Sequence, residues 1–163
     1  MGRVLAFDHG GRRLGVAVAA SETGVATGLD TIVYDGWKDL RARLTGLVEE
    51  QGPERLIVGY PLGMDGQPTP RCEEVETFAR RLVGWFGLPV TLWDERLTTA
   101  QARRAQRESG RSEKKARQEG LRDRAAAILL LQSWLDHPDR VGIAWSPHPG
   151  PGNDDAGEES AGA

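Results

Sequence analysis

Two short apolar runs close to the N-terminus, RVLAFD and LGVAVA, are separated by only HGGRR. Both runs have the composition and length of β-strands. Gly10 and Gly11 supply the positive φ angles that a tight turn between them needs. The segment therefore predicts a β-hairpin whose first strand ends on an acid, Asp8. A carboxylate in that position lies at the edge of a sheet, and this restricts the folds and the chemistry open to the chain.

The next part of the chain alternates between helical and strand patterns. TGLDTIVY is a third strand candidate, and residues 39–50 carry an apolar stripe at helical spacing. RLIVGYP is a continuous apolar run that ends at a proline, which is typical of a buried parallel strand. Thr69 before Pro70 predicts the start of a second helix that runs to about Trp85.

The C-terminal half predicts one more strand and two more helices. LPVTLWDE is the strand, and Thr98 with Gln101 has the spacing of a capping box. Residues 110–115 are predicted to form a mobile loop before a last helix that carries RDRAAAILLLQSWL. The order β-β-β-α-β-α-β-α-α predicts an α/β fold, a mixed sheet flanked by helices on both faces.

Length and composition limit the domain organisation. A chain of 163 residues is long enough for one well-buried domain, which we place at residues 1–145. The tail, residues 146–163, is acidic, rich in proline and glycine and nearly free of apolar residues, so we expect it to be disordered. Cys72 is the single cysteine and excludes an internal disulfide. No membrane span or signal peptide is evident, and we expect a cytoplasmic protein with no membrane partner.

Charge is distributed unevenly along the chain. The net charge is -3, but the segment 96–124 contains ten lysines and arginines against four acids. A concentrated basic segment is typical of a protein that binds a polyanion such as nucleic acid. A solvated helix face with a charged loop is the alternative.

Four acids occupy positions that are unusual for solvent-exposed carboxylates. Asp8 ends the first strand, Asp94 and Glu95 end the last strand, and Asp123 lies on the last helix. Ligands of open α/β sheets bind at the carboxyl ends of strands. Converging acids need a cation, and all-oxygen ligands favour Mg²⁺ or Mn²⁺. Two such ions are suited to phosphodiester hydrolysis.

Each acid also has a purely structural interpretation. Asp8 could cap its own turn through the amides of the two glycines. Asp94 could form an Asx-type turn, and Asp123 could pair with Arg122 or Arg124. Because alternation along a strand sends Asp94 and Glu95 to opposite faces, only one of them can point to the other acids, and periodicity alone does not decide which.

Four motifs in this order, FDHGGRRLGVAVA, LIVGYPLGMDG, LWDERLTTAQA and LRDRAAAILLLQSWLD, resemble the YqgF/RuvX family. The resemblance covers nearly all of residues 1–138. It implies an RNase H-like fold with a mixed five-stranded sheet. It also implies a metal-dependent nuclease that processes the small-subunit ribosomal RNA precursor, or a Holliday-junction resolvase.

The resemblance also assigns site residues. The catalytic and metal-binding acids implied are Asp8, Glu95 and Asp123, with Asp94 as a less certain metal ligand. The implied nucleic-acid ligands are Arg12, Arg13, Arg96, Lys114 and Lys115. The loop GYPLGMDGQPTP ends at a helix N-terminus, where backbone amides favour a phosphate; a structural turn at Asp65-Gly66 is the alternative. His9 is expected to be a solvent-facing turn residue.

Two other functions remain open from the sequence. A hairpin with an acid and a Gly/Arg turn also resembles the phosphate-binding element of actin-like ATPases and sugar kinases, but that fold needs two lobes and one is visible. A nucleic-acid-binding ribosome assembly factor with no cleavage activity would retain the same residues. The partner would be structured or single-stranded RNA, or branched DNA. The sequence leaves monomer and homodimer equally open.

Overall fold

A computed structural model describes residues 2–20, 22–98 and 115–148. These residues form five strands, three α-helices and one short 3₁₀ turn. The strands are β1 (Arg3–Gly10), β2 (Arg13–Ala20), β3 (Thr27–Val33), β4 (Pro53–Tyr60) and β5 (Val90–Asp94). The helices are α1 (Gly36–Gln51), α2 (Pro70–Phe86) and α3 (Lys115–Asp136), and the 3₁₀ turn is Glu95–Leu97.

The strands form one mixed sheet in the order β3-β2-β1-β4-β5. β1, β2 and β3 form an antiparallel meander, whereas β4 pairs parallel with both β1 and β5. β1, β4 and β5 therefore deliver their carboxyl ends to the same edge of the sheet. This edge, where Asp8 and Glu95 lie, is the place at which open α/β sheets bind ligands.

Each face of the sheet has its own apolar layer. On one face Leu5 and Phe7 of β1 pack with residues of α1 and α2. On the other face Val4 and Ala6 pack against α3. Side chains alternate between the faces of a strand, so Asp8 belongs to the α3 face and His9 to the face that α1 and α2 cover.

The hairpin, the mixed sheet and the helices on both faces are confirmed by the structure. Gly11 has a φ of +66° at the β1–β2 turn, as predicted, whereas Gly10 does not take a positive φ because it is still the last residue of β1. α1 begins at Gly36, three residues before the predicted start at Asp39. Asp39 lies inside the first turn, where its carboxylate accepts the backbone N–H of Asp35 at 2.9 Å. Thr69 and Pro70 begin α2 as predicted, and the helix ends one residue beyond Trp85.

Three predictions of the sequence analysis concern residues that the structure does not describe. The capping box at Gln101, the loop up to Lys114 and the tail from residue 149 lie outside the described part of the chain. Lys115 begins α3 rather than closing a loop. No helix among residues 2–20, 22–98 and 115–148 is long and apolar enough to cross a membrane.

Candidate active site at the carboxyl edge of the sheet

Asp8 and Glu95 meet at the carboxyl edge of the sheet although a strand separates them. Their side chains share a hydrogen bond that spans β4. The contact is possible because Gly59 lies between them on β4: a Cβ there would stand 2.8 Å from the Glu95 Oε1. Glycine at this position thus opens the path for the longer carboxylate to reach Asp8.

The proton affinity of Asp8 reflects this environment. Burial, followed by the charge and the hydrogen bond of Glu95, raises the pKa of Asp8 from 3.8 to about 7, while Arg71 partly opposes the shift. Two carboxyl groups this close cannot both ionise without a large penalty. In the protein alone, Asp8 is therefore only about half ionised at pH 7.

The third acid reaches the same region because α3 lies unusually close to β2. A Cβ at Gly15 would stand 2.2 Å from the backbone oxygen of Asp123, so only glycine permits this approach. Gly15 is the partner of Asp8 in the β1–β2 register. The negative charge of Asp123 contributes to the raised pKa of Asp8. Local packing therefore places an acid from residue 123 beside one from residue 8.

Asp123 forms an ion pair with a predicted phosphate ligand. The Nε of Arg13 donates to its Oδ2 at 2.8 Å, and Nη1 of the same arginine lies 3.5 Å from Glu119 Oε2, one turn earlier on α3. The alternative that Asp123 pairs with Arg124 is wrong, because Arg124 forms its ion pair with Asp30. Arg13 thus lies beside the acids and forms ion pairs with two of them, Glu119 and Asp123.

Asp94 has a different role from Glu95 in the structure. Its Oδ1 accepts the backbone N–H of Arg96 at 2.9 Å, which caps the 3₁₀ turn, and both its oxygens accept from the Arg96 guanidinium. This pairing raises the pKa of Arg96. The acids that act on Asp8 are Glu95 and Asp123. The structural interpretation of Asp94 as a turn residue is therefore confirmed, and its carboxylate is already occupied.

Arg71 is the residue that the sequence analysis missed. It lies in the first turn of α2, donates a hydrogen bond to the backbone oxygen of His9, and its charge lowers the pKa of both Asp8 and His9. A cation in the first turn opposes the helix dipole. Arg71 directly follows Thr69 and Pro70, which predict the start of the helix. An arginine at this unfavourable position is the sequence signal that indicates a special role for Arg71.

A cleft of about 300 Å³ borders Asp8, Arg13 and Asp123. Arg122 also lines this cleft, a second residue not assigned from the sequence. Arg12 is exposed in the hairpin turn. Lys114 lies outside the described residues, and Lys115 begins α3 without a described side chain.

The expectation for His9 is wrong. Its side chain is only 6% exposed, its ring stacks on Phe78 at 4.9 Å, and its Nε2 lies 2.9 Å from the Tyr34 hydroxyl. Burial, followed by the charge of Arg71, lowers the pKa of His9 to about 4. His9 is thus a neutral core residue on the face opposite to Asp8.

The acids suit a divalent cation in their chemistry, although they are not yet arranged around one. Two carboxyl groups that share a proton are the groups that a hard cation would bind once the proton is released. In the described part of the chain, no group of three acid, histidine or cysteine side chains already converges on one point. Asp8 and Glu95 therefore form the core of the candidate site, and Asp123 lies beside them in an ion pair with Arg13.

Comparison with known proteins identifies the family of the chain. A family model described as "RuvX: Holliday junction resolvase" matches residues 2–137. A relative from Syntrophus aciditrophicus is 40% identical over 134 residues, 82% of this chain and 88% of the relative. One from Dechloromonas aromatica is 42% identical over 141 residues, 86% and 95% of the two chains. Both carry the name "Putative pre-16S rRNA nuclease".

Comparison with solved structures concerns the fold. The RuvC structure from Thermus thermophilus matches with a TM-score of 0.51 and 17% identity, covering 81% of this chain and 94% of that one. This agrees with the RNase H-like fold that the motifs implied. A family model that spans nearly all of the described core, and relatives above 40% identity along it, lead to one conclusion: the chain belongs to the RuvX family.

Proposed function

We propose that this protein is a divalent-metal-dependent nuclease that hydrolyses phosphodiester bonds at the carboxyl edge of its sheet. The observation that carries the proposal is the Asp8–Glu95 pair, two carboxyl groups that share a proton across Gly59 with Asp123 beside them. Such a pair costs stability in the protein alone and has no evident structural purpose. It is well suited to hold a cation opposite a phosphate.

The acids would hold Mg²⁺ or Mn²⁺ through carboxylate oxygens of Asp8, Glu95 and Asp123. When bound, such ions activate water and stabilise the leaving oxygen of a phosphodiester. The protein's own part is to keep Asp8 fixed on β1 and Glu95 fixed over Gly59. Asp94 contributes indirectly, because it holds the 3₁₀ turn that carries Glu95.

The arginines would bind the substrate backbone. Arg13, which pairs with Asp123 in the protein alone, would bind a phosphate oxygen of the substrate, and Asp123 would then be available as a ligand of the cation. Arg71 and Arg122 border the same acids and complete a cationic rim. Arg12, in the exposed hairpin turn, would contact the flanking nucleotides, and Lys114 and Lys115 are assigned to the nucleic-acid backbone by the family resemblance alone. Arg96 would stay with Asp94 and hold the turn.

The substrate we favour is the precursor of the small-subunit ribosomal RNA, processed in the cytoplasm, because the curated relatives carry that name. A four-way DNA junction is the second candidate, favoured by the description of the family model. The two differ in what they demand of the protein. Symmetric cutting of a junction requires two active sites, and RNA processing needs only one.

The test is cleavage by the full chain of two substrates: a single-stranded RNA that spans the small-subunit precursor leader, and a four-way DNA junction. Each is incubated with Mg²⁺, with Mn²⁺ and with a chelator. Asp8→Asn and Glu95→Gln remove the proposed ligands. Glu54→Gln is the matched control, because Glu54 is exposed at the start of β4, at the other end of that strand.

We expect metal-dependent cutting of the RNA that both site variants abolish and the control retains. Paired symmetric nicks in the junction, without RNA cutting, would instead support the resolvase. Cleavage by Asp8→Asn at the wild-type rate would overturn the proposed site. Binding that survives the chelator, with no cutting of either substrate, would identify a nucleic-acid-binding assembly factor.

A further inference from the structure

A second cleft opens on the opposite face of the sheet, one residue further along β1. It has a volume of about 360 Å³ and lies between the end of β3, the start of α1 and the first turns of α2. His9, Tyr34 and Trp37 form its aromatic side, and Glu74 and Thr77 of α2 form its polar side. Nothing in the proposed cleavage reaction uses these residues.

The aromatic side is held rigidly. Arg81 stacks over the Trp37 ring at 4.4 Å, and Trp85 packs against that ring edge-on at 6.2 Å. The Tyr34 hydroxyl bonds both His9 and the backbone oxygen of Gly11. Rigid aromatic rings beside a cavity are the usual platform for an unstacked nucleic-acid base.

The floor of the cleft is open because two glycines border it. Gly11 and Gly36 both have positive φ angles, +66° and +81°, and no atom lies within 4 Å of the position that a Cβ would take. A flat group can therefore approach the backbone closely at both points. A volume near the lower end of the range for ligand pockets suits a single nucleotide rather than a folded segment.

The polar side determines which part of a nucleotide fits. Glu74 is exposed at the cleft, and its charge influences both His9 and Tyr34. A carboxylate repels phosphate and accepts hydrogen bonds from N–H groups. Among the four RNA bases, only guanine presents two adjacent N–H donors, N1–H and N2–H, that a carboxylate can accept together. The Thr77 hydroxyl oxygen, whose proton bonds the Glu73 carbonyl, is a further acceptor.

The position of the cleft ties it to the cleavage site. Asp8 and His9 are neighbours on β1, about 3.8 Å apart at Cα, and face opposite sides of the sheet edge. Arg71 is near residues of both clefts. It donates a hydrogen bond to the backbone oxygen of His9, and its positive charge lowers the pKa of Asp8. A strand whose phosphate lies at Asp8 can pass Arg71 on its way to the second cleft, because adjacent residues of β1 line the two clefts.

We propose that this second cleft binds an unpaired guanine base of the same strand that is cut at Asp8, with Trp37 beside the base and Glu74 on its N1–H and N2–H groups. The path of the strand in this proposal rests on the proposed nuclease function. The proposal adds a preference for one base to that function, because the acids and arginines of the first site act on the backbone alone.

The test measures binding rather than cutting, in chelator, so that it does not depend on activity. The probes are fluorescent oligouridine 9-mers with one central guanine, inosine, adenine or no substitution. Inosine keeps N1–H but lacks the N2 amino group. The variants are Glu74→Gln, which leaves one acceptor, and Glu73→Gln, a matched control on the neighbouring exposed acid of α2.

We expect the wild type and Glu73→Gln to bind the guanine probe about tenfold more tightly than the adenine probe, with inosine between them. Glu74→Gln should lose most of that ratio while still binding every probe through the backbone. Equal affinity for guanine and adenine in the wild type, or an unchanged ratio in Glu74→Gln, would overturn the proposal. A preserved guanine preference in a protein that cuts neither RNA nor junction would refute the nuclease and leave this cleft standing.

Discussion

Replacing Asp8 by asparagine should stabilise the metal-free protein at neutral pH. The pKa of Asp8 in the fold is about 7, against 3.8 in its ordinary environment. Between these two values the unfolded chain has lost the proton and the folded chain retains it, so the folded state loses stability as pH rises. Asparagine has the same shape and never ionises, so this loss is absent from the variant.

The magnitude follows from the two pKa values. Each pH unit between them is worth about 1.4 kcal/mol, and integration from pH 5 to 7.5 gives a ceiling of about 2.5 kcal/mol. Part of this shift comes from the charge of Glu95, so we expect about 1–2 kcal/mol from Asp8 itself. From pH 5 to pH 7.5, the unfolding free energy of the asparagine variant should therefore rise relative to that of the wild type by about 1–2 kcal/mol.

The assay is urea unfolding of both proteins at pH 5 and 7.5, in chelator and in Mg²⁺. Comparing the two proteins cancels the titration of His9, which both contain. In saturating Mg²⁺ the order should reverse at pH 7.5, because a ligand at 100 times its dissociation constant stabilises the wild type by about 2.7 kcal/mol. A difference between the proteins that stays constant from pH 5 to 7.5 would refute the shared-proton interpretation of the site.

Three further predictions test the supports of the site. Gly59→Ala should keep the fold but push the Glu95 carboxylate from Asp8, lowering cleavage on the order of 10²-fold; an unchanged rate would contradict the role of Gly59. Gly15→Ala should lower the unfolding free energy measured in urea by about 1–3 kcal/mol or more, because the Asp123 carbonyl leaves no room for a Cβ. An alanine variant as stable as the wild type would disprove this contact. As pH falls from 6.5 to 4, where His9 is protonated only in the unfolded chain, the wild type should lose up to about 3 kcal/mol of unfolding free energy relative to His9→Phe, because the opposing gain at Asp8 is common to both proteins; a difference between the two that stays constant over this range would contradict the burial of a neutral His9.

Local sequence patterns predicted the elements well and the contacts between them poorly. The hairpin, the start of α2 and the apolar β4 all follow from short-range signals. Asp123 pairs with Arg13, 110 residues away, and no local pattern indicates such a partner. The close approaches at Gly15 and Gly59 are equally products of tertiary packing, because a glycine in a strand looks the same whether or not a side chain crosses it.

Two errors could have been avoided. Leu5, Phe7 and His9 share one face of β1 by simple alternation, so the burial of His9 was available from the pattern that predicted the strand. Arg71 stood in the first turn of a helix whose start had been identified. The family resemblance favoured Glu95 over Asp94, and alternation now gives the physical reason, since Glu95 shares its face with Trp93 and α3.

The contribution of α3 to the edge that carries Asp8 also bears on when the protein can act. Translation releases the chain from its N-terminus, so Asp8 leaves the ribosome first and Asp123 long afterwards. Until α3 has been synthesised and has docked on β2, the acids from three distant parts of the chain are not assembled. A nascent copy therefore lacks one of the three acids of the proposed site until α3 has been synthesised and packed on β2, although Asp8 and the hairpin that carries it are made first.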